Sequence, residues 1–471
     1  MKRISFYDII VIGSGPAGQK AAVQGARAGA RVLLIEKEDG IGGEGIYRGV
    51  IPSKTLRETA LQLHRIQRSL HTLECRLRPG LELATMMSRV EEVVRTHNTH
   101  MTDHLRRSGV AHLQGCAHFT SDHEIEVLTA YGPSQIQKAD YIILAAGSTP
   151  TTTPQMPVDH EHIFDSDSIL SMTTVPRSMT VVGGGVVGAE YASVFALLGV
   201  EVTLLDVADR PLPFIDQEIV QTFVAAFEKS GGRFVGNQIV ADARWDGHSK
   251  VVVQTRSGLQ FDSETMLVAI GRSPNIAGLR LEATGMTLTD GKIAVNQYGQ
   301  TNVPHIYAVG DMAGAPMLAS RSMEQGRRAV AHALKLPLTE LPSYAPIGIH
   351  TLPEIASVGL DETSARSRFT APLVGHAKLN EIARGQISGV TDGILKMVAD
   401  PSGKKILGIQ IVGESAIELI HVGLLGLQHG IEVDEFLDSA LNFPTFAEAY
   451  RVAALEIVGK RVKRREFNEA A

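Results

Sequence analysis

Residues 8–12 form a short apolar, β-branched run that opens on Asp8. The run breaks at Gly13-Ser14-Gly15-Pro16-Ala17-Gly18 and gives way to an alanine-rich stretch reaching Ala28. This order of patterns predicts strand, tight turn and helix. Gly29 then stops the helix, and residues 31–35 supply a second strand closing on Glu36. The pattern returns later in the chain. Residues 180–182 lead into Gly183-Gly184-Gly185-Val186-Val187-Gly188, a helix runs to Leu198, Gly199 stops it, and residues 201–205 close on Asp206. Twenty-three positions separate Gly13 from Glu36, and twenty-three separate Gly183 from Asp206. A repeat of this kind marks two copies of one supersecondary unit.

Two further apolar runs, at residues 141–146 and 266–270, each end in a glycine turn, at Gly147 and Gly271. Lying after each glycine-rich loop, they read as the last strand of each unit, which places domain boundaries near Pro150 and Pro274. From Pro346 onward, strand-like runs at 395–398 and 406–412 alternate with helical stretches at 414–429 and 447–459. That mixture predicts a third, α+β domain.

Composition narrows the classes without choosing among them. The chain has 471 residues and a formal charge of −6 with both signs interspersed, so there is no electrostatic case for nucleic acid. Asp8 and a glycine loop surround the first apolar run, which excludes reading it as a signal peptide or membrane anchor and makes cytoplasmic the expected location. Cys75 and Cys116 are far apart and form neither a CxxC nor a zinc pattern. The 17 histidines show no metal-ligand spacing, and no metal is expected. The basic run 460–465 reads as a solvated helix end.

The candidate chemistry lies in the two loops. In a GxGxxG turn between strand and helix, the first glycine (Gly13, Gly183) permits the turn and the second (Gly15, Gly185) lets backbone approach a pyrophosphate. The third (Gly18, Gly188) lets helix and strand pack closely. Unpaired helix N–H groups and the positive end of the helix dipole favour the phosphate charge. Glu36 and Asp206 stand where an acid accepts hydrogen bonds from ribose hydroxyls. Glycine-rich turns also occur merely to pack a helix on a sheet, but two copies with equal spacing and terminal acids make that reading poor. Residues 301–311 form a third element, a strand ending in Gly310-Asp311.

That run resembles the second FAD signature of two-dinucleotide flavoproteins. From about Asp8 to Glu456 the chain resembles the pyridine nucleotide-disulfide oxidoreductases. The resemblance implies an α/β fold of two Rossmann-like dinucleotide-binding domains, for FAD and NAD(P), plus a C-terminal α+β dimerisation domain. The expected spans are 1–150 for FAD, 151–275 for NAD(P), 276–343 for a returning FAD segment, and 344–471 for the interface of a homodimer. It also implies that Asp311 and Gly147 meet FAD alongside Gly13, Gly15, Gly18, Glu36 and Gly43. Lys54 matches the lysine at the flavin N5 edge, and Glu190 matches its acidic partner. Ala319 opens a helix aimed at the flavin pyrimidine edge. Gly183, Gly185, Gly188, Glu190, Asp206 and Gly271 fall to NAD(P).

The same resemblance exposes what is missing. The family's paired cysteines stand at positions held here by Gly45 and Val50, and the histidine of its C-terminal segment is replaced by Phe443, although Glu448 stays. Without thiolates there is no nucleophile for a disulfide, and a phenyl ring cannot move protons. Residues 165–170, 303–311, 349–359, 383–386 and 442–455 resemble the soluble, FAD-containing pyridine nucleotide transhydrogenases. The implied reaction passes hydride between NAD(P)H and NAD(P)+ through FAD, with Lys54 and Glu190 as catalytic residues. Two alternatives remain: reduction of a quinone or dye, and a non-catalytic FAD-binding scaffold. Asp206 favours NADH, and Arg210 is the nearest guanidinium for NADPH.

Overall fold

The computed structural model describes residues 4–69, 83–130, 132–289, 291–314, 316–340, 344–390 and 392–470. Cys75 lies outside them. Two sheets carry the repeated units. In the first, strand Ile4–Ile12 lies between Val32–Glu36 and Gln135–Leu144, both parallel to it, with Ile12 opposite Ile35 and Leu144. Every residue of Val32–Glu36 is buried, as expected of a parallel strand covered on both faces. In the second sheet, Ser178–Val182 lies between Glu201–Leu205 and Thr265–Val268, again parallel. Each central strand therefore delivers its glycine loop to the carboxyl end of the sheet, where neighbouring connections diverge and leave a crevice.

After the second sheet the chain comes back to the first. Strand Ile306–Ala308 adds in parallel to Gln135–Leu144, pairing Ile306 with Ile142. The following helix, Ala319–Ala333, crosses the first unit's helix, Pro16–Arg27, at very close range. A Cβ on Gly326 would stand 2.1 Å from the Ala17 carbonyl oxygen, so only glycine permits the crossing. The two exit segments pair antiparallel, Arg272–Pro274 against Ser148–Pro150, and bind the two units at their junction.

A third, antiparallel sheet of five strands follows, with Ile406–Val412 buried throughout. Helices Ala416–His429 and Glu448–Ala470 pack on this domain, yet Val422, Leu425, Val452 and Leu455 remain partly or largely exposed on them. At the seam with the second unit, the Lys396 side chain is only 4% exposed and lies 3.0 Å from Asp216, 3.0 Å from Glu218 and 2.8 Å from Glu362. Burial opposes its charge, but the hydrogen bond it donates to Glu362 and the attraction of Asp216 outweigh burial and raise its pKa. The basic run near the C-terminus departs from the solvated reading. Lys460 donates to the Val374 carbonyl at 2.8 Å, Arg461 clasps both oxygens of Asp434 at 2.7 and 2.5 Å, and Arg464 reaches the Pro401 carbonyl at 3.0 Å. Long basic side chains lie along the surface and fasten neighbouring loops, something charge spacing alone does not reveal.

Candidate dinucleotide sites and their junction

The two glycine loops have nearly the same geometry. Gly13 has φ +100° and Gly183 has φ +107°, and a Cβ on either would stand 2.3 Å from a carbonyl oxygen of the adjacent strand end, Ala145 or Ala269. A Cβ on Gly18 would lie 1.9 Å from the Gly13 oxygen, and one on Gly188 would lie 1.8 Å from the Gly183 oxygen. These four positions are sterically closed. Gly15 and Gly185 are the opposite: each is the N-cap of its helix, and nothing lies within 4 Å of an added Cβ. An open cradle over unpaired helix N–H groups, walled by close-packed backbone, fits a pyrophosphate in both places.

The terminal acids brace these cradles. Glu36 is buried, and its Oε2 accepts from the Ser14 amide at 2.8 Å and the Ser14 hydroxyl at 2.6 Å, while Oε1 accepts from the Glu38 amide at 3.0 Å. The Ser14 hydroxyl also accepts from the Gly42 amide at 2.8 Å, which draws the next loop against the first. Gly43 is thereby brought beside Gly15, with its would-be Cβ 2.9 Å from the Gly15 Cα. Asp206 plays the matching part in the second unit, accepting from the Gly184 amide and, at 2.7 Å, from the Ala208 amide. Arg210 donates to the Pro213 carbonyl at 3.0 Å and so holds the following loop.

Lys54 and Glu190, 136 residues apart, meet with Nζ 2.5 Å from Oε2. Their side chains are 25% and 10% exposed. The other carboxylate oxygen, Oε1, accepts from the His350 amide at 2.8 Å. Burial, then the neighbouring Lys54 charge, push the His350 imidazole down to about 4, so it is neutral near pH 7. Sequence reasoning missed His350. The only signal was its place at the head of the 349–359 stretch.

A second junction gathers residues from both units. The Ser148 hydroxyl donates to Asp311 Oδ2 at 2.6 Å and accepts from Arg272 Nε at 2.9 Å. Arg272 also donates to the Ser148 carbonyl at 2.8 Å, Ser166 at 2.9 Å and Asp167 at 2.8 Å. Asp311 is thus polarised through a hydroxyl by a guanidinium from the other unit, and neither Ser148 nor Arg272 was singled out from sequence. Gly147 and Gly271 flank this junction and accept through their carbonyls from Asn275 at 2.9 Å and Thr151 at 3.0 Å. Ala319 is the first residue of its helix, and the preceding Gly310 amide donates to Gln325 at 2.9 Å.

Where the paired thiols of the resembling family would stand, a Cβ on Gly45 would meet only Pro16, at 3.4 Å, and Val50 is 40% exposed. Phe443 is 74% exposed. Cys116 is exposed at the start of strand Cys116–Ser121, on the antiparallel part of the first sheet. Among the described residues one trio, Asp122, His123 and His305, brings metal-capable atoms close together. Its rings, however, stack at 3.7 Å with 9° between their planes. An imidazole lone pair lies in its ring plane. Two stacked, parallel rings cannot both aim at one ion, so the contact is a stacking one.

Two matching glycine-loop cradles, with a largely buried lysine and glutamate pair reaching from one unit to the other, are the layout of a two-dinucleotide fold. A sequence profile described as pyridine nucleotide-disulphide oxidoreductase matches residues 7–326, and one for the dimerisation domain of the same family matches residues 345–454. The chain belongs to that family and is an FAD-dependent pyridine nucleotide oxidoreductase. It is 38% identical over 459 residues to the soluble pyridine nucleotide transhydrogenase of Mycobacterium bovis (strain BCG / Pasteur 1173P2), covering 96% of this chain and 97% of that one. It is 37% identical over 457 residues to the protein of the same name from Enterobacter sp. (strain 638), covering 95% and 97%. Among solved structures it resembles LpdA from Mycobacterium tuberculosis, with a TM-score of 0.87 and 28% identity over 95% of this chain and 99% of that one. The HOCl-induced flavoprotein disulfide reductase RclA from Escherichia coli gives a TM-score of 0.86 at 25% identity, again over 95% and 99%. Among the described residues no helix is long and apolar enough to cross a membrane.

Because Gly185 has φ −72° and open space above it, Gly185→Ala is expected to fold normally. Its methyl group would crowd the second cradle and weaken NADH binding roughly tenfold while FAD content stays unchanged. Titrating NADH against the FAD-loaded variant checks this, and unaltered affinity would place the pyrophosphate elsewhere.

Proposed function

We propose that this chain is a pyridine nucleotide transhydrogenase that passes hydride from one nicotinamide to another through FAD, without a redox disulfide. The observation that carries the reading is the Lys54–Glu190 pair, complete at 2.5 Å, beside positions 45 and 50 that hold no thiol. FAD supplies the hydride-accepting and hydride-releasing chemistry when bound. Gly13, Gly15, Gly18, Glu36, Gly43, Gly147, Asp311 and Ala319 would hold it. Asp311, fixed through Ser148, keeps Oδ1 for a ribityl hydroxyl. Lys54 would set a positive charge at the reacting edge, where Glu190 holds the ammonium in place. Gly183, Gly185, Gly188, Asp206 and Gly271 would take each nicotinamide nucleotide in turn, one leaving before the next arrives.

In this reading residues 1–150 and 276–343 form the FAD unit, 151–275 the nicotinamide unit and 344–471 the interface. The exposed apolar residues on helices Ala416–His429 and Glu448–Ala470 support a homodimer, and the location in this reading is the cytoplasm.

The test is hydride transfer from NADPH to a spectrally distinct NAD+ analogue, with parallel double-reciprocal lines. Arsenite should leave the rate unchanged, and partly reduced enzyme should lack a thiolate-to-flavin charge-transfer band. Disulfide reduction or that band would overturn the thiol-free reading. A second reading, NADH:quinone reductase, draws on the nicotinamide unit itself. Asp206 is followed by Val207 and Ala208, and Arg210 already donates to the Pro213 carbonyl, which disfavours a 2′-phosphate. Failure with NADPH together with rapid NADH-driven quinone reduction would favour it.

A further inference from the structure

The imidazole of His350 stands beside the Lys54–Glu190 pair and has no task in the reaction described above. Its chain neighbours Ile349 and Thr351 are both 0% exposed, whereas His350 is partly exposed, so its ring turns out of the packed layer. The charges acting on that ring are those of Lys54, Glu190 and Arg57. The hydrogen bond that joins this residue to Glu190 comes from its backbone amide, at 2.8 Å, and leaves the ring free. Among the described residues neither ring nitrogen has a hydrogen-bond partner. A neutral imidazole carries one donor and one acceptor, and a half-buried one without protein partners is satisfied by water or by a ligand.

The ligand at this edge narrows the choice. In the proposed reaction the nicotinamide ring comes to Lys54 and Glu190, and the polar group on that ring is its carboxamide, with an oxygen that accepts and an NH2 that donates. Lys54 can only donate. Glu190 already accepts from Lys54 through Oε2 and from the His350 amide through Oε1. The ring of His350 supplies the unengaged acceptor. We propose that His350 is a specificity-determining residue for the nicotinamide substrate, its ring nitrogen accepting from the carboxamide N–H of the bound nucleotide. The proposal rests on the hydride-transfer reading made above and adds to it the side chain that recognises the reacting ring. Acceptance requires the neutral imidazole, which already prevails above pH 7 at the ordinary histidine pKa of about 6.5. Here burial, then the Lys54 charge, lower it further to about 4, against the pull of Glu190. A neutral ring also sets no positive charge beside a nicotinamide that becomes a cation on giving up hydride.

The experiment compares NAD+ with acetylpyridine adenine dinucleotide, in which a methyl group replaces the carboxamide NH2 and the rest of the nucleotide is unchanged. Calorimetric titration of each into the oxidised, FAD-loaded protein reads affinity without chemistry, so the different redox potentials of the two rings do not enter. Wild type should bind NAD+ roughly tenfold more tightly than the analogue. His350→Phe keeps a flat ring and removes the acceptor, so it should bind both nucleotides equally, through a roughly tenfold loss for NAD+ alone. His350→Leu, which also lacks an acceptor, should repeat that loss, and His350→Gln, which restores an acceptor oxygen, should keep the preference. The bond to Glu190 comes from the backbone and survives all three changes, so altered discrimination reports on the ring. A wild type without preference, or a His350→Phe or His350→Leu variant with the wild-type preference, overturns the proposal. A wild type whose flavin NADH does not bleach overturns the hydride-transfer reading itself, a distinguishable result.

Discussion

Lys54→Met is expected to slow reduction of bound FAD by NADH by about a hundred- to a thousandfold, the range found when one preorganised electrostatic group is removed from a reacting centre. The ammonium is three-quarters buried and held 2.5 Å from Glu190, so its field is less screened than that of a surface lysine. The substitution also strands a carboxylate whose remaining partner is the His350 amide at 2.8 Å. Those two effects separate in the double variant Lys54→Met/Glu190→Gln. If the stranded charge is at fault, the double variant recovers, whereas loss of the cation itself leaves it slow. His350 supplies a pH signature. In the wild type its imidazole titrates at about 4, lowered by burial and by Lys54, so the rate should not depend on it near neutrality. With Lys54 gone, the His350 pKa should rise, and lowering the pH should return a positive charge beside Glu190 and lift the variant's rate. Stopped-flow bleaching of the flavin measures all of this, and a Lys54→Met rate within a few fold of wild type would remove Lys54 from the chemistry.

Asp206→Ser is expected to shift the ratio of NADH to NADPH use by about a hundredfold, the scale of charge-assisted hydrogen bonds gained or lost at a desolvated site. The carboxylate is anchored just past strand Glu201–Leu205 by the Gly184 and Ala208 amides, beside the second glycine loop, where the proposed function puts the ribose. A 2′-hydroxyl can donate to it. A 2′-phosphate brings two like charges to the same spot. Serine retains an acceptor for the Gly184 amide and removes the repulsion. Flavin reduction with each donor at equal concentration is the measurement. Wild type should prefer NADH, and a strong wild-type preference for NADPH would mean that Asp206 does not face the ribose.

The two glycine loops were legible in the sequence because their logic is local. Gly13, Gly18, Gly183 and Gly188 are required by carbonyl oxygens a few residues away or on the next strand, and the apolar runs follow from burial on both faces of a parallel sheet. The repeat of twenty-three positions made that logic visible twice. The Lys54–Glu190 contact was expected from resemblance, since nothing in the spacing of two charges so far apart predicts their pairing.

Only the folded chain decided the rest. Ser148 and Asp311 are 163 residues apart and Arg272 lies 124 from Ser148, so their relay exists because the chain leaves the first sheet, builds the second and returns. His350 reaches Glu190 from the third domain, and Lys396 gathers Asp216, Glu218 and Glu362 across a domain seam. The basic run at 460–465 looked solvated because periodicity records only which face a residue occupies. Which carbonyls that face meets depends on how the domain packs. Hydrophobic pattern and glycine sterics act between neighbours and can be read along the chain. Hydrogen bonds and charge pairs of polar side chains depend on distances that only the tertiary structure sets.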